Sequence, residues 1–282
     1  MDSLILVIKG FFIGIANIIP GVSGGTIALI LGVYEKIINV ISHFTKDIRK
    51  NLSFIIPIII GIVLSILILS GVISYSYKVY PIIVTMFFMG LVLGGVPFIY
   101  KKIINKDKVK ISSLIIFLLT FSLVISMSFI NESSYEVSLN NLQIFGYIKL
   151  ILVGIIASGT MVIPGISGSL VLMLLGYYYP ILTIIKELLS FKNLFSNIIV
   201  ISLFLIGVII GIILFVKLIE HLFKRHEQKT YYGIFGFVLA SFLAIPMKTF
   251  MKISYTFIPF ELVIGIILMG IGFIISYKLG DK

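Results

Sequence analysis

Two copies of one short motif carry the chemistry open to this chain. Pro20-Gly21-Val22-Ser23-Gly24-Gly25-Thr26 and Pro164-Gly165-Ile166-Ser167-Gly168-Ser169 interrupt two charge-free stretches, residues 10–34 and 150–185. Proline removes a backbone donor and glycine removes the Cβ constraint on φ, so neither motif continues a helix. A new helix is expected after each break, starting around Thr26 in the first copy, and its leading N–H groups have no intrahelical acceptor. Gly24, Gly25 and Gly168 let an anion approach those donors. Ser23, Thr26, Ser167 and Ser169 add hydroxyls, and the helix dipole favours negative charge there. Two such ends facing each other would make a cage for a phosphate or a carboxylate. The bland reading is that Gly, Ser and Pro serve only helix packing and kinks. Two repeat-related copies inside charge-free runs favour the binding reading.

Polar residues beside the breaks extend the candidate site. Asn17 lies one turn before Pro20, and its repeat mate is Met161; Ser158 and Thr160 supply the polarity on that side. Any cage is therefore asymmetric. Lys9 and Glu35 are candidates for a charge partner or a gate. The simpler readings are that Lys9 snorkels to the headgroups and that Glu35 and Lys36 sit in a solvated turn. Glu261 is expected as an interfacial carboxylate, His221 and His226 as solvated loop residues, and Tyr177, Tyr178 and Tyr179 as part of an interfacial aromatic belt. Catalytic patterns are missing: no G-x-S-x-G elbow, HExxH helix, P-loop or G-x-G-x-x-G strand–helix unit is read. No carboxylate pair or Asp/Glu/His cluster falls inside the apolar segments, and the chain has no Cys. Neither an enzyme nor a metal or cofactor site is expected.

These motifs need elements to hold them, and composition says where. Of 282 residues, 60% are hydrophobic and 12% charged, against roughly 45–50% and ~25% in soluble domains. The chain reads as an all-α polytopic membrane protein. Its net charge of +11 then concerns membrane orientation and anionic headgroups, and no nucleic-acid partner is expected. The apolar N-terminal run lacks a basic n-region and a small-residue cleavage site, so it is not expected to be a signal peptide.

Apolar spans are predicted at about 54–74, 80–100, 111–130, 194–217, 230–247 and 257–277, the last with Glu261 near its start. The two motif-bearing segments, 4–42 and 146–188, are predicted as broken, re-entrant hairpins, because irregular backbone at membrane depth survives only where protein or water satisfies it. A shift of 144 residues lays Ile18–Ile38 on Val162–Leu182 with nine identities: Ile19, Pro20, Gly21, Ser23, Gly24, Leu31, Gly32, Tyr34 and Ile37 recur at 163, 164, 165, 167, 168, 175, 176, 178 and 181. The chain thus divides into repeats 1–140 and 141–282, each a hairpin plus three spans. An odd number of crossings per repeat inverts the second relative to the first, whatever the depth of the hairpins.

The charge distribution agrees. One side collects fourteen basic residues: Lys46, Arg49, Lys50, Lys101, Lys102, Lys106, Lys108, Lys110, Lys217, Lys224, Arg225, Lys229, Lys278 and Lys282. The other has six, Lys78, Lys149, Lys186, Lys192, Lys248 and Lys252, together with the acidic stretch 131–136. The positive-inside rule puts the first side, with both termini, in the cytoplasm. Inverted repeats with paired broken helices are the sequence pointer to a secondary-transporter site near the midplane.

Gly14–Glu35 (GIANIIPGVSGGTIALILGVYE) together with Met161–Tyr178 (MVIPGISGSLVLMLLGYY) resembles the bacterial polyprenyl-phosphate transporter family, formerly a domain family of unknown function. The likeness extends over the whole chain in length, span number and duplication. It implies a lipid-phosphate translocase of the bacterial cytoplasmic membrane that returns undecaprenyl phosphate, the carrier lipid of envelope polymers, to the cytoplasmic leaflet. The implied partners are that lipid and a coupling ion, H+ or Na+. Many members resemble this chain but have Asp where it has Asn17, which puts proton coupling through that position in question. The only two arginines, Arg49 and Arg225, fall in predicted cytoplasmic loops, so headgroup recognition would rest on backbone N–H groups and hydroxyls. The alternative is a transporter or channel for a small anion using the same helix ends. A membrane enzyme or scaffold of envelope synthesis is a further class, and a scaffold would tolerate changes in both motifs.

Overall fold

The computed structural model describes residues 2–18, 22–104, 109–129, 136–139, 142–252 and 259–280. Pro20 and Gly21 of the first motif lie outside them, as do Lys106, Lys108 and residues 131–135. Among the described residues there are eleven helices and no strand, and six helices are long and apolar enough to cross a membrane. The chain is a multi-pass helical membrane protein.

Each predicted hairpin is built in three pieces. In the first, α1 (Ser3–Ile18) is followed by α2 (Gly24–Ile30), a helix of seven residues, and then α3 (Tyr34–Ser42). Ser23 in extended conformation caps α2, accepting the Thr26 N–H at 3.3 Å, which moves the helix start two residues ahead of the expected Thr26. At the far end Gly32 has φ +70°. Its N–H donates to Leu29 O and that of Val33 to Ala28 O, both at 3.0 Å. This pairing satisfies the last carbonyls and requires a left-handed residue, hence glycine. The second hairpin repeats the device in α7 (Ile144–Val162), α8 (Gly168–Leu174) and α9 (Tyr178–Leu189), with Ser167 as cap and Gly176, φ +75°, as stop. The short helices turn by 110° and 107° into the helices that follow. This second bend is an addition to the single break read from the motifs; Gly32 and Gly176, identical across the repeat, mark it.

The remaining helices are α4 (Ile48–Val79), α5 (Pro81–Ile104), α6 (Ile111–Phe129), α10 (Leu194–Lys252) and α11 (Pro259–Gly280). The charged loop expected between two spans around residues 218–229 is instead helical. α10 consists of two helical arms that meet at a kink at His226, φ −137° and ψ 46°. Good helix formers and the Glu220–Lys224 pair at i,i+4 support this stretch. His221 and His226 are exposed as expected, but His221 is on a helix and His226 forms its turn. Arg49 and Arg225 likewise sit on helices rather than in loops.

Helices meet where small residues remove side chains from the interface, the usual route to close packing when lipid is as apolar as the protein. α1 lies along α4 so closely that a Cβ on Gly10 would collide with Ile58 O, and one on Gly14 with Ser65 Oγ. α7 lies along the first arm of α10 in the same manner, with Gly207 against Ile151 O and Gly211 against Ser158 Oγ. The last helix of each half packs on the other half: α11 runs against α5, where Gly90 meets Met269 O, and α6 against residues 230–252 of α10, where Gly236 meets Thr120 and Phe117. The main core accordingly joins Ile27, Ile30, Leu31 and Val33 of the first hairpin to Val216, Ile219, Ile234 and Val238 of α10. Apolar side chains such as Leu67, Leu118, Leu119 and Ile209 cover the outer surface.

Candidate functional site

The two motifs meet. Gly165 of the second motif has φ +90°, a conformation that favours glycine, and its N–H donates to Thr26 Oγ1 of the first at 2.5 Å. A side chain at Gly165 would also run into Phe237, whose Cβ lies 2.6 Å from the position a Cβ would take. One residue away, Gly25 faces Met161 O, which would stand 2.9 Å from an added Cβ. Tyr34 OH donates to Val162 O at 2.8 Å. The start of α2 is thus docked on the end of α7, whose last carbonyls have no intrahelical donor.

The predicted site residues are distributed as follows. Ser23, Thr26 and Ser167 are buried. Ser23 and Ser167 spend their oxygens on the helix caps, and Ser167 Oγ also pairs with Ser169 Oγ at 2.9 Å. Thr26, 2% exposed, is a strut between the halves in this conformation. Gly24 lies under the Asn17 amide, while Gly168 lies under Met161, whose Cγ would be 2.6 Å from an added Cβ. Asn17 itself is exposed. Pro164 and Gly165 are buried at the break. Ser158 and Thr160 donate within α7, to Ile155 O at 3.0 Å and Ala157 O at 2.7 Å, and Ser158 faces Gly211 and α10. The letters G-x-S-x-G do occur at 21–25, but a helix rather than a strand precedes Ser23, so it is not a nucleophile elbow.

Lys9 does not snorkel. Its side chain is fully buried, and Nζ donates to Leu31 O at 2.6 Å. A cation at the C-terminal carbonyls of α2 complements the dipole of that helix and holds it beside the Gly32 turn. Glu35 is not a simple solvated turn residue either. Its Oε1 accepts from Lys102 Nζ and from Tyr231 OH, each at 2.6 Å, tying the first hairpin to α5 and α10. Both members of the ion pair are about a third or more exposed, so its geometric role outweighs its energy.

One other expectation changes. Tyr177 is buried in the second core, and of the expected aromatic belt Tyr179 alone faces outward fully, its ring edge-on to Tyr178 at 5.3 Å. Glu261 is 7% exposed, in the first turn of α11, where a carboxylate meets the positive end of the helix. Tyr34, Lys102 and Tyr231 were not among the sequence candidates. Only the Tyr34/Tyr178 identity in the repeat hinted at the first; nothing local marks the others.

Comparison with known proteins adds an independent line. The model of a family described as VCA0040-like, undecaprenyl phosphate translocase-like, matches residues 13–257. A protein of Staphylococcus aureus (strain NCTC 8325 / PS 47) named "Polyprenyl-phosphate transporter" is 31% identical over 279 residues, covering 97% of this chain and 95% of its own. One of the same name from Vibrio cholerae serotype O1 (strain ATCC 39315 / El Tor Inaba N16961) is 29% identical over 255 residues, 86% of this chain and 77% of its own. No solved structure matches.

Proposed function

The chain belongs to the undecaprenyl phosphate translocase-like family, and on that premise we propose that it carries polyprenyl phosphate across the bacterial cytoplasmic membrane, recycling the carrier lipid for envelope polymer synthesis. The observation that carries this reading is the apposition of the two Pro-Gly-x-Ser-Gly motifs, Thr26 against Gly165 and Gly25 against Met161.

In this proposal the two halves are inverted repeats with both termini cytoplasmic, and the headgroup is bound at residues 23–26 and 167–169. A phosphate monoester needs several donors and a favourable dipole, and leading backbone N–H groups with serine hydroxyls provide them without an Arg clamp. The tail stays in lipid, so only the headgroup needs a polar path. Thr26–Gly165 is the contact that must part for the phosphate to enter, and rocking of one hairpin against the other would give alternating access. Asn17 has no titratable group, so a cycle driven by H+ would engage another group.

The test is a leaflet-sided assay in proteoliposomes, following polyprenyl phosphate with and without a proton gradient. Protein-dependent movement of the lipid phosphate between leaflets is expected. Flux of small anions with no lipid movement would replace this reading with the small-anion transporter.

A further inference from the structure

A cleft of about 320 Å³ leads away from the second motif. Pro164 and Ile163 lie at one part of its wall, and Ile116 and Thr120 of α6 and both arms of α10 complete it. Phe237 lines it too and is the residue packed against Gly165, so the cleft is continuous with the motif. Eight residues along α10 from Phe237, about 12 Å at helical rise, stands Lys229, with His226 and Thr230 beside it at the turn. The walls between are apolar: Ile163, Ile219, Leu222 and Ile234.

This is a space with a hydrocarbon lining and a cationic end. Lys229 is half-buried and makes no ion pair or hydrogen bond among the described residues. By contrast, Lys102 of α5 and Lys224 of α10 are each held by a carboxylate. A partly desolvated ammonium without a carboxylate is complemented by an anion supplied from outside. Thr230 spends its hydroxyl proton on His226 O at 3.0 Å, which ties the turn down and leaves the lysine as the mobile donor. An occupant must therefore be anionic at one end and apolar along the rest. Neither inorganic phosphate nor a neutral isoprenoid alcohol satisfies both conditions.

We infer that this cleft holds the phosphate and the first isoprene units of the transported lipid on their way between the second motif and the basic side of the protein, with Lys229 receiving the phosphate. The cleft lies at the small end of the range for ligand pockets, ~300–1,000 Å³, so the rest of the tail stays in the bilayer. The inference rests on the proposed transport of polyprenyl phosphate and names the exit segment of its path. At the first hairpin, by contrast, the cation Lys102 is already held by Glu35, which also accepts from Tyr231.

The experiment uses the full chain in proteoliposomes with a polyprenyl phosphate probe carrying a diazirine in its first isoprene unit, and the matching uncharged alcohol. The phosphate probe should label peptides 116–120 and 230–237, compete with unlabelled polyprenyl phosphate, and exceed the alcohol about tenfold, the size of one charge-assisted hydrogen bond. Lys229→Gln should reduce its labelling to the level of the alcohol and slow transport, while Lys229→Arg retains both. Gly233→Leu, which fills the cleft towards Ile116, should abolish labelling; if that variant does not fold, Ile116→Phe serves. Labelling confined to the outer face around Leu118 and Leu119, wild-type labelling in Lys229→Gln, or equal competition by phosphatidylglycerol would overturn the inference. Leaflet-sided transport measured in the same vesicles separates the two claims. A wild-type protein that moves no polyprenyl phosphate refutes the proposed function, whereas full transport without cleft labelling refutes this route alone.

Discussion

The Asn17 side-chain amide lies against the α-carbon of Gly24, where an added Cβ would collide with Asn17 Oδ1. Met161 holds the same place over Gly168 in the second half. One packing relation is thus preserved across the repeat while its chemistry is exchanged, an amide on one side and a thioether on the other. The amide is beside the start of α2, where the proposed function puts the phosphate.

Asn17→Asp should make transport pH-dependent. The new carboxylate is neutral below its pKa and charged above it. As pH rises through that pKa the charge appears beside the phosphate site and repels it. Transport by the variant is expected to fall with rising pH while the wild type shows no such step. Superimposable pH–rate profiles would exclude Asn17 from the headgroup site.

Replacing Gly24 or Gly168 by Leu should abolish transport while folded protein is retained on size-exclusion chromatography, because the side chain displaces Asn17 or Met161 at the site. Gly165→Ala is a different case. At φ +90° a Cβ costs about 1–2 kcal/mol before the clash with Phe237 is counted, so a lower melting temperature is expected together with lost transport. A Gly165→Ala protein as stable as the wild type would contradict the observed backbone.

Gly14 packs against Ser65, and Ser158 against Gly211, so serine and glycine have changed places between the halves. Gly14→Ser alone should destabilise α1 on α4, since Ser65 Oγ and Ile62 O already occupy the space. Adding Ser65→Gly removes the clash with Ser65 Oγ while Ile62 O stays, and should recover part of the loss, with a coupling of about 0.5–3 kcal/mol as found between contacting residues. Additive losses in this double-mutant cycle would show that the two interfaces are not equivalent.

Lys9→Met keeps most of the volume of the side chain and removes the donor to Leu31 O. A buried carbonyl left without its partner costs about 1–3 kcal/mol, so thermal unfolding in detergent should shift down accordingly. An unchanged melting temperature would mean that water reaches Leu31 O.

Much of the molecule was legible in the residues because local rules govern it. Charge-free length specified the spans, proline and glycine specified the breaks, and Ser23 and Ser167 had the residue type that caps a helix. The repeat at a shift of 144 residues foretold that both hairpins would share one construction, down to the glycines at 32 and 176. The class of protein and the positions of the two motifs were decided at this level.

Tertiary structure decided the partners. Lipid and protein interior are equally apolar, so hydropathy marks a span without saying which face meets which helix. For that reason the packing of α11 on α5 and of α6 on α10 could not be read from the chain, nor could the bond from Gly165 to Thr26, 139 residues apart. Lys9 shows the same limit: near the end of an apolar helix a lysine can reach headgroups or a buried carbonyl, and only the position of Leu31 settles which. Local sequence made two places where the backbone must break, and folding brought them to one seam.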